Sequence, residues 1–152
     1  MSDGWWIGIV GAGLIGWAIL LDVRYGSELR LARWWVPRAR RMGRWAGPVA
    51  FVGSCAALAG YAVLAVISGS LASAAGDSRW ALVVALPAML GYAPFVFATM
   101  PTRFRGYDAW RSQLAAAGAV PRLQRAIAWW AGPPSLLGLI AMIATLAAIF
   151  LD

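Results

Sequence analysis

The sequence predicts an all-α fold: a polytopic integral membrane protein of four transmembrane helices, forming a single membrane domain over residues 1–152. Three observations predict it. Of the 152 residues, 62% are hydrophobic and 12% charged, about half the charged share of an ordinary soluble domain. The apolar residues come in four long runs without Asp, Glu, Lys, Arg or His, each near or above the ~18 residues that mark a spanning helix. The basic residues, all arginine, are gathered into two of the connections between those runs.

The first span is read over residues 5–21. As a helix it would extend about 25 Å, slightly short of a ~30 Å hydrocarbon core, with Trp5 and Trp6 at its outer boundary. Met1-Ser2-Asp3-Gly4 provides no basic n-region for a signal peptide, so this segment is expected to stay in the mature protein. The second span, 46–71, opens with Gly47-Pro48 and gives way to a polar turn at Ser70, Ser73 and Gly76. The third, 80–100, carries Pro87 and Pro94 on one helix face, and a bend is expected near Gly91 because each proline removes a backbone hydrogen bond and clashes with the preceding turn. The fourth, 131–151, has Pro133-Pro134 in its first turn.

Orientation follows from charge. Arg24, Arg30, Arg33, Arg38, Arg40, Arg41 and Arg44 lie in the loop 22–45, and Arg103, Arg105, Arg111, Arg122 and Arg125 in the loop 101–130; only Arg79 lies on the other side. Short loops rich in arginine stay in the cytoplasm. Both termini are therefore expected outside a bacterial plasma (inner) membrane, with Asp3, Asp77 and Asp152 on the outer side. The tryptophans agree: Trp5, Trp6 and Trp80 mark the outer boundary, Trp34, Trp35, Trp45, Trp110, Trp129 and Trp130 the inner one, and Trp17 alone sits within a span.

The cytoplasmic loops resemble each other. Val36-Pro37-Arg38, Arg41 and Trp45-Ala46-Gly47-Pro48 recur as Val120-Pro121-Arg122, Arg125 and Trp129 with Ala131-Gly132-Pro133, and Arg24-Tyr25-Gly26 is echoed by Arg105-Gly106-Tyr107. A parallel duplication of a two-helix hairpin accounts for this. Convergence of arginine-rich loops on Pro, Trp and Gly at a membrane boundary is the alternative. Within the loops, short interfacial helices are expected. Ser27 is the predicted cap of one that ends at Pro37, Asp108 the cap of another ending at Gly118, and Pro121 starts a third with Arg122 and Arg125 outward.

The spans hold no Asp, Glu, Lys, Arg or His; their polar residues are Ser54, Cys55, Tyr61, Ser68, Tyr92, Thr99, Ser135 and Thr145. Proton relays and ion pathways need intramembrane charge. With no histidine and six scattered acids, no catalytic residue, metal ligand or cofactor is expected, and the chain does not read as an enzyme. Cys55 reads as a small buried apolar residue.

Three residue sets are candidates for function. The paired Arg38/Arg41 and Arg122/Arg125 are expected to bind anionic inner-leaflet lipid or an acidic partner, an arginine near such a surface contributing about 1 kcal/mol. Gly8, Ala12 and Gly16 in the first span, and Gly53, Ala57 and Gly60 in the second, form helix-packing faces that let backbones approach closely. The second face is expected inside the bundle, whereas the first is the better candidate for an outward surface. Pro87, Gly91 and Pro94 form the helix break. Together these favour a non-catalytic accessory or assembly subunit of a larger membrane protein complex, contacting partner subunits and anionic lipids. The alternatives are a small oligomeric transporter or channel with its site at the broken third span and, more weakly, a protein binding phospholipid head groups. Neither loop carries a nucleic-acid motif, so no nucleic-acid partner is expected.

Overall fold

The computed structural model describes residues 5–100 and 107–151, and of Tyr107 and Asp108 the backbone alone. Every element described is helical: α1 (Trp5–Tyr25), α2 (Ser27–Met42), a 3-10 turn at Gly43–Trp45, α3 (Ala46–Ala75), a second 3-10 turn at Ser78–Ala81, α4 (Leu82–Thr99), α5 (Tyr107–Ala116) and α6 (Pro121–Phe150). Four helical stretches are long and apolar enough to cross a membrane: Trp5–Tyr25, Ser27–Ala75, Ser78–Thr99 and Pro121–Phe150. Asp3, Arg103, Arg105 with Gly106, Asp152 and the proposed cap at the Asp108 side chain lie outside the described residues.

α6 is the central helix and α1 the peripheral one: α6 buries eleven of its 30 residues, α1 only Leu14 and Ala18 of its 21. α3, α4 and α6 pack on one another, and α1 leans mainly on α4. At one end the start of α1 meets the end of α6, where Trp6 and Phe150 stack at 6.5 Å, and the Ser78 hydroxyl donates to the Ile149 carbonyl at 3.1 Å. α2, with five arginines, and α5, with one, lie at the other end.

Two separate clusters of buried side chains result. Leu14, Tyr61, Ala85, Met89, Tyr92, Ala93, Val96, Met142 and Leu146 form the core between the spans. Ala32, Val36 and Ala39 of α2 meet Trp110 and Leu114 of α5 over Ala46, Ala50, Ile127 and Ala128, forming a second core beneath a cap. α2 and α5 thus pack on each other as well as on the spans.

Several expected boundaries move. Both long spans extend past their apolar runs: at 1.5 Å per residue the 30 residues of α3 and of α6 reach about 45 Å, beyond a ~30 Å core. Pro121 does start a helix, but that helix runs unbroken into the fourth span, so Pro133 and Pro134 are interior rather than first-turn residues. Pro37 likewise lies inside α2 instead of ending it. Ser27 is not the cap of α2: the chain turns through Gly26 in the left-handed region (φ 58°), and the Glu28 amide donates to the Asp22 carboxylate at 3.2 Å. A carboxylate six residues upstream therefore takes the role expected of Ser27.

The helix-break residues Pro87, Gly91 and Pro94 do not interrupt α4, which is one helix from Leu82 to Thr99. The reason is local. Pro94 has no amide hydrogen, which frees the Leu90 carbonyl one turn earlier, and the Trp17 indole of α1 donates to that carbonyl at 3.0 Å. A neighbouring helix supplies the missing bond, as transmembrane prolines require.

Candidate functional site

The arginine-rich end is built by a turn and a clasp. After α5 the chain reverses through Gly118 (φ 86°), a left-handed position suited to glycine, and the Ala119 carbonyl accepts from buried Gln124 at 2.7 Å. The Arg40 guanidinium of α2 donates to the Gly118 carbonyl, joining the two cap segments. This clasp places the end of α2 beside the start of α6.

Between them lies a groove of roughly 570 Å³ whose lining includes Arg40, Arg44 and Arg122 together with Gly43 and Val120. No carboxylate is among its lining residues. Three arginines line this groove, Arg40 engaged at the Gly118 carbonyl and Arg44 lying over the Trp45 ring at 5.7 Å, and planar guanidinium forks suit phosphate oxygens. The expected pairs are regrouped here. Arg38 is occupied on the Trp34 ring, 4.0 Å from its centroid, and donates to the Trp34 carbonyl at 2.6 Å. Arg41 and Arg125 are exposed and line none of the cavities described, so of the four predicted residues only Arg122 belongs to the groove. Arg40 and Arg44 were missed because spacing along a helix cannot show which arginines a second segment will face.

The small-residue faces point outward. Gly8, Ala12 and Gly16 are exposed, as are Gly53 and Gly60, while Ala57 is half-buried. A methyl group built on Gly8, Gly16, Gly53 or Gly60 would meet nothing within 4 Å. The expectation that the second face holds the bundle together is therefore corrected for Gly53 and Gly60; lipid is as apolar as a helix, so composition cannot distinguish an inward stripe from an outward one. The close approaches fall at glycines that the pattern did not single out. Gly47 lies against the Trp130 ring, and Gly138 against the Tyr92 ring and hydroxyl, with no room for a Cβ at either.

Within the spans the hydroxyls pair across helices. Tyr61 donates to Thr145 at 3.0 Å, and the Thr99 and Ser135 hydroxyls meet across helices, one donating to the other and its neighbour to a carbonyl on its own helix. Tyr92 stacks on Tyr61 at 5.0 Å, but its buried hydroxyl has no hydrogen-bond partner. Cys55 is a free thiol, half-buried rather than buried. Among the described residues no three His, Cys, Asp or Glu side chains gather as a metal group would require. A second cavity, about 250 Å³ and almost entirely apolar, lies where the cap meets the spans. Comparison with known protein families, characterised proteins and solved structures finds no match.

Proposed function

We propose that this chain is a non-catalytic accessory or assembly subunit of a larger bacterial membrane protein complex, taking partner helices on its outward small-residue faces. The observation that carries the reading is α1. Gly8, Ala12 and Gly16 form an exposed face that no other described residue covers, and such faces favour close helix association in lipid. The arginines support the orientation: a cytoplasmic cap bearing α2 and α5 at the inner-leaflet interface, with both termini outside the plasma membrane. Duplication of a hairpin rests on the sequence repeat of the two loops; Pro37 and Pro121, equivalent in the repeat, occupy different places in their helices, inside α2 and at the start of α6.

Purification in a mild detergent tests the reading. The expected result is a second, different membrane polypeptide at fixed stoichiometry, lost when Gly16 is replaced by Leu. A homo-oligomer that moves solute in liposomes would contradict it.

The groove of Arg40, Arg44 and Arg122 favours a second reading, retention of a phosphate-bearing lipid head group at the cap. Replacing all three arginines with Gln is expected to abolish selective retention of anionic lipid, and raised salt to weaken it in the unaltered protein. Unchanged retention in the triple variant would remove this reading without touching the first.

A further inference from the structure

The end of the bundle away from the cap carries two grooves that share a wall. One, about 610 Å³, runs between α3 and α6 past Gly69, Ala72 and Ala148; the other, about 800 Å³, runs between α1 and α4 past Trp6, Val10 and Leu86. Asp77, Ser78 and Ile149 line both, and the hydrogen bond from the Ser78 hydroxyl to the Ile149 carbonyl ties the wall between them. The first groove follows α3 from Gly76 back to Ala65, eleven positions (76 − 65), or about 16 Å at 1.5 Å per residue. It is deep enough to take a length of apolar chain.

The place where the grooves meet is charged. Among the described residues, Asp77 and Arg79 are the only charged side chains at this end, and both are exposed and line the second groove. Asp77 is held in place, its Oδ1 accepting the Arg79 amide at 2.9 Å, and the carboxylate keeps further acceptor sites. The Arg79 guanidinium offers a planar fork suited to phosphate oxygens. A ligand that answers both groups carries an anion and a cation close together, with apolar chains for the grooves. Trp5, Trp6 and Trp80 mark this end as a membrane boundary, the level at which phospholipid head groups lie. A purely anionic head group would set its charge against Asp77, and a choline has no N–H for the carboxylate to accept.

We propose that the two grooves seat the chains of a zwitterionic phospholipid bearing a primary ammonium, its phosphate on Arg79 and its ammonium donating to the Asp77 carboxylate. The site lies at the opposite end from the arginine groove, and it requires neither that groove nor a partner helix on α1.

The test uses the full chain, delipidated in a mild detergent and examined by native mass spectrometry after addition of equimolar dioleoyl phosphatidylethanolamine and dioleoyl phosphatidylcholine. The ethanolamine lipid should be retained about fivefold over the choline lipid, the upper value of one exposed charge pair. Asp77→Asn keeps an oxygen for the Arg79 amide while removing the charge, and should bring the two lipids level; Arg79→Gln should weaken both. Gly69→Leu, at a position where an added Cβ meets nothing within 4 Å, fills the first groove and should weaken the two-chain lipid while its one-chain lyso form is retained. Unchanged circular dichroism shows that each variant folds. Equal retention of the two lipids by the unaltered chain, or a preference that survives Asp77→Asn, would overturn the proposal; so would a preference lost in Asp152→Asn instead, since another carboxylate would then hold the ammonium.

Discussion

The cap and the bundle beneath it are held together by different physics. The cap core is made of ordinary apolar side chains, with Val36, Leu114 and Ile127 almost completely buried, and the other face of α2 carries exposed arginines. Burying such side chains away from a polar surrounding is driven by the hydrophobic effect, worth ~1.5–3 kcal/mol for each large residue. Between the spans that drive is missing, because lipid tails are as apolar as the side chains they would replace. There the contacts are close approaches and polar pairs instead: Gly138 against Tyr92, Tyr61 with Thr145, Thr99 with Ser135, and Trp17 on the Leu90 carbonyl. Segments that read from sequence as loops lying on a membrane therefore contain the more conventional protein core.

Substitutions separate the two regions, with unfolding followed in mixed micelles. The largest effect is expected in the cap: Leu114→Ala should cost about 2–5 kcal/mol through lost burial and the cavity it leaves, and a cost under ~1 kcal/mol would deny the cap a core of its own. Gly138→Ala should cost about 1–3 kcal/mol, since the Tyr92 ring it meets is stacked between Tyr61 and Phe95 and has nowhere to move. Trp17→Phe removes one interhelical hydrogen bond and should cost about 1 kcal/mol, with α1 loosening first by hydrogen exchange. Tyr92→Phe should be neutral or stabilising by up to ~1 kcal/mol, because the hydroxyl it removes is buried without a partner. A clear loss of stability there would mean that the hydroxyl makes a bond after all.

The four spans were legible because each needs only a long apolar run, a property local to the sequence. The cap core was not, because Val36 and Leu114 are separated by 78 positions (114 − 36) and only the folded chain brings α2 onto α5. The unbroken α4 was illegible for a related reason: proline at 94 does remove a bond, and a tryptophan on another helix replaces it. Of the predicted arginine site, the location at the cap was readable from charge, whereas the membership of the groove depends on the Gly118 turn and the Arg40 clasp. The small-residue stripes were visible as patterns, but their direction was not.

That direction is what the functional account rests on. The most direct test is photo-crosslinking in living cells from a probe at Ala12, on the exposed face of α1, with a probe at buried Leu14 as the control. The account predicts a crosslink from position 12 to a specific foreign membrane polypeptide, and from position 14 only to this chain. Crosslinks from position 12 to lipid alone, or only to further copies of this chain, would contradict it.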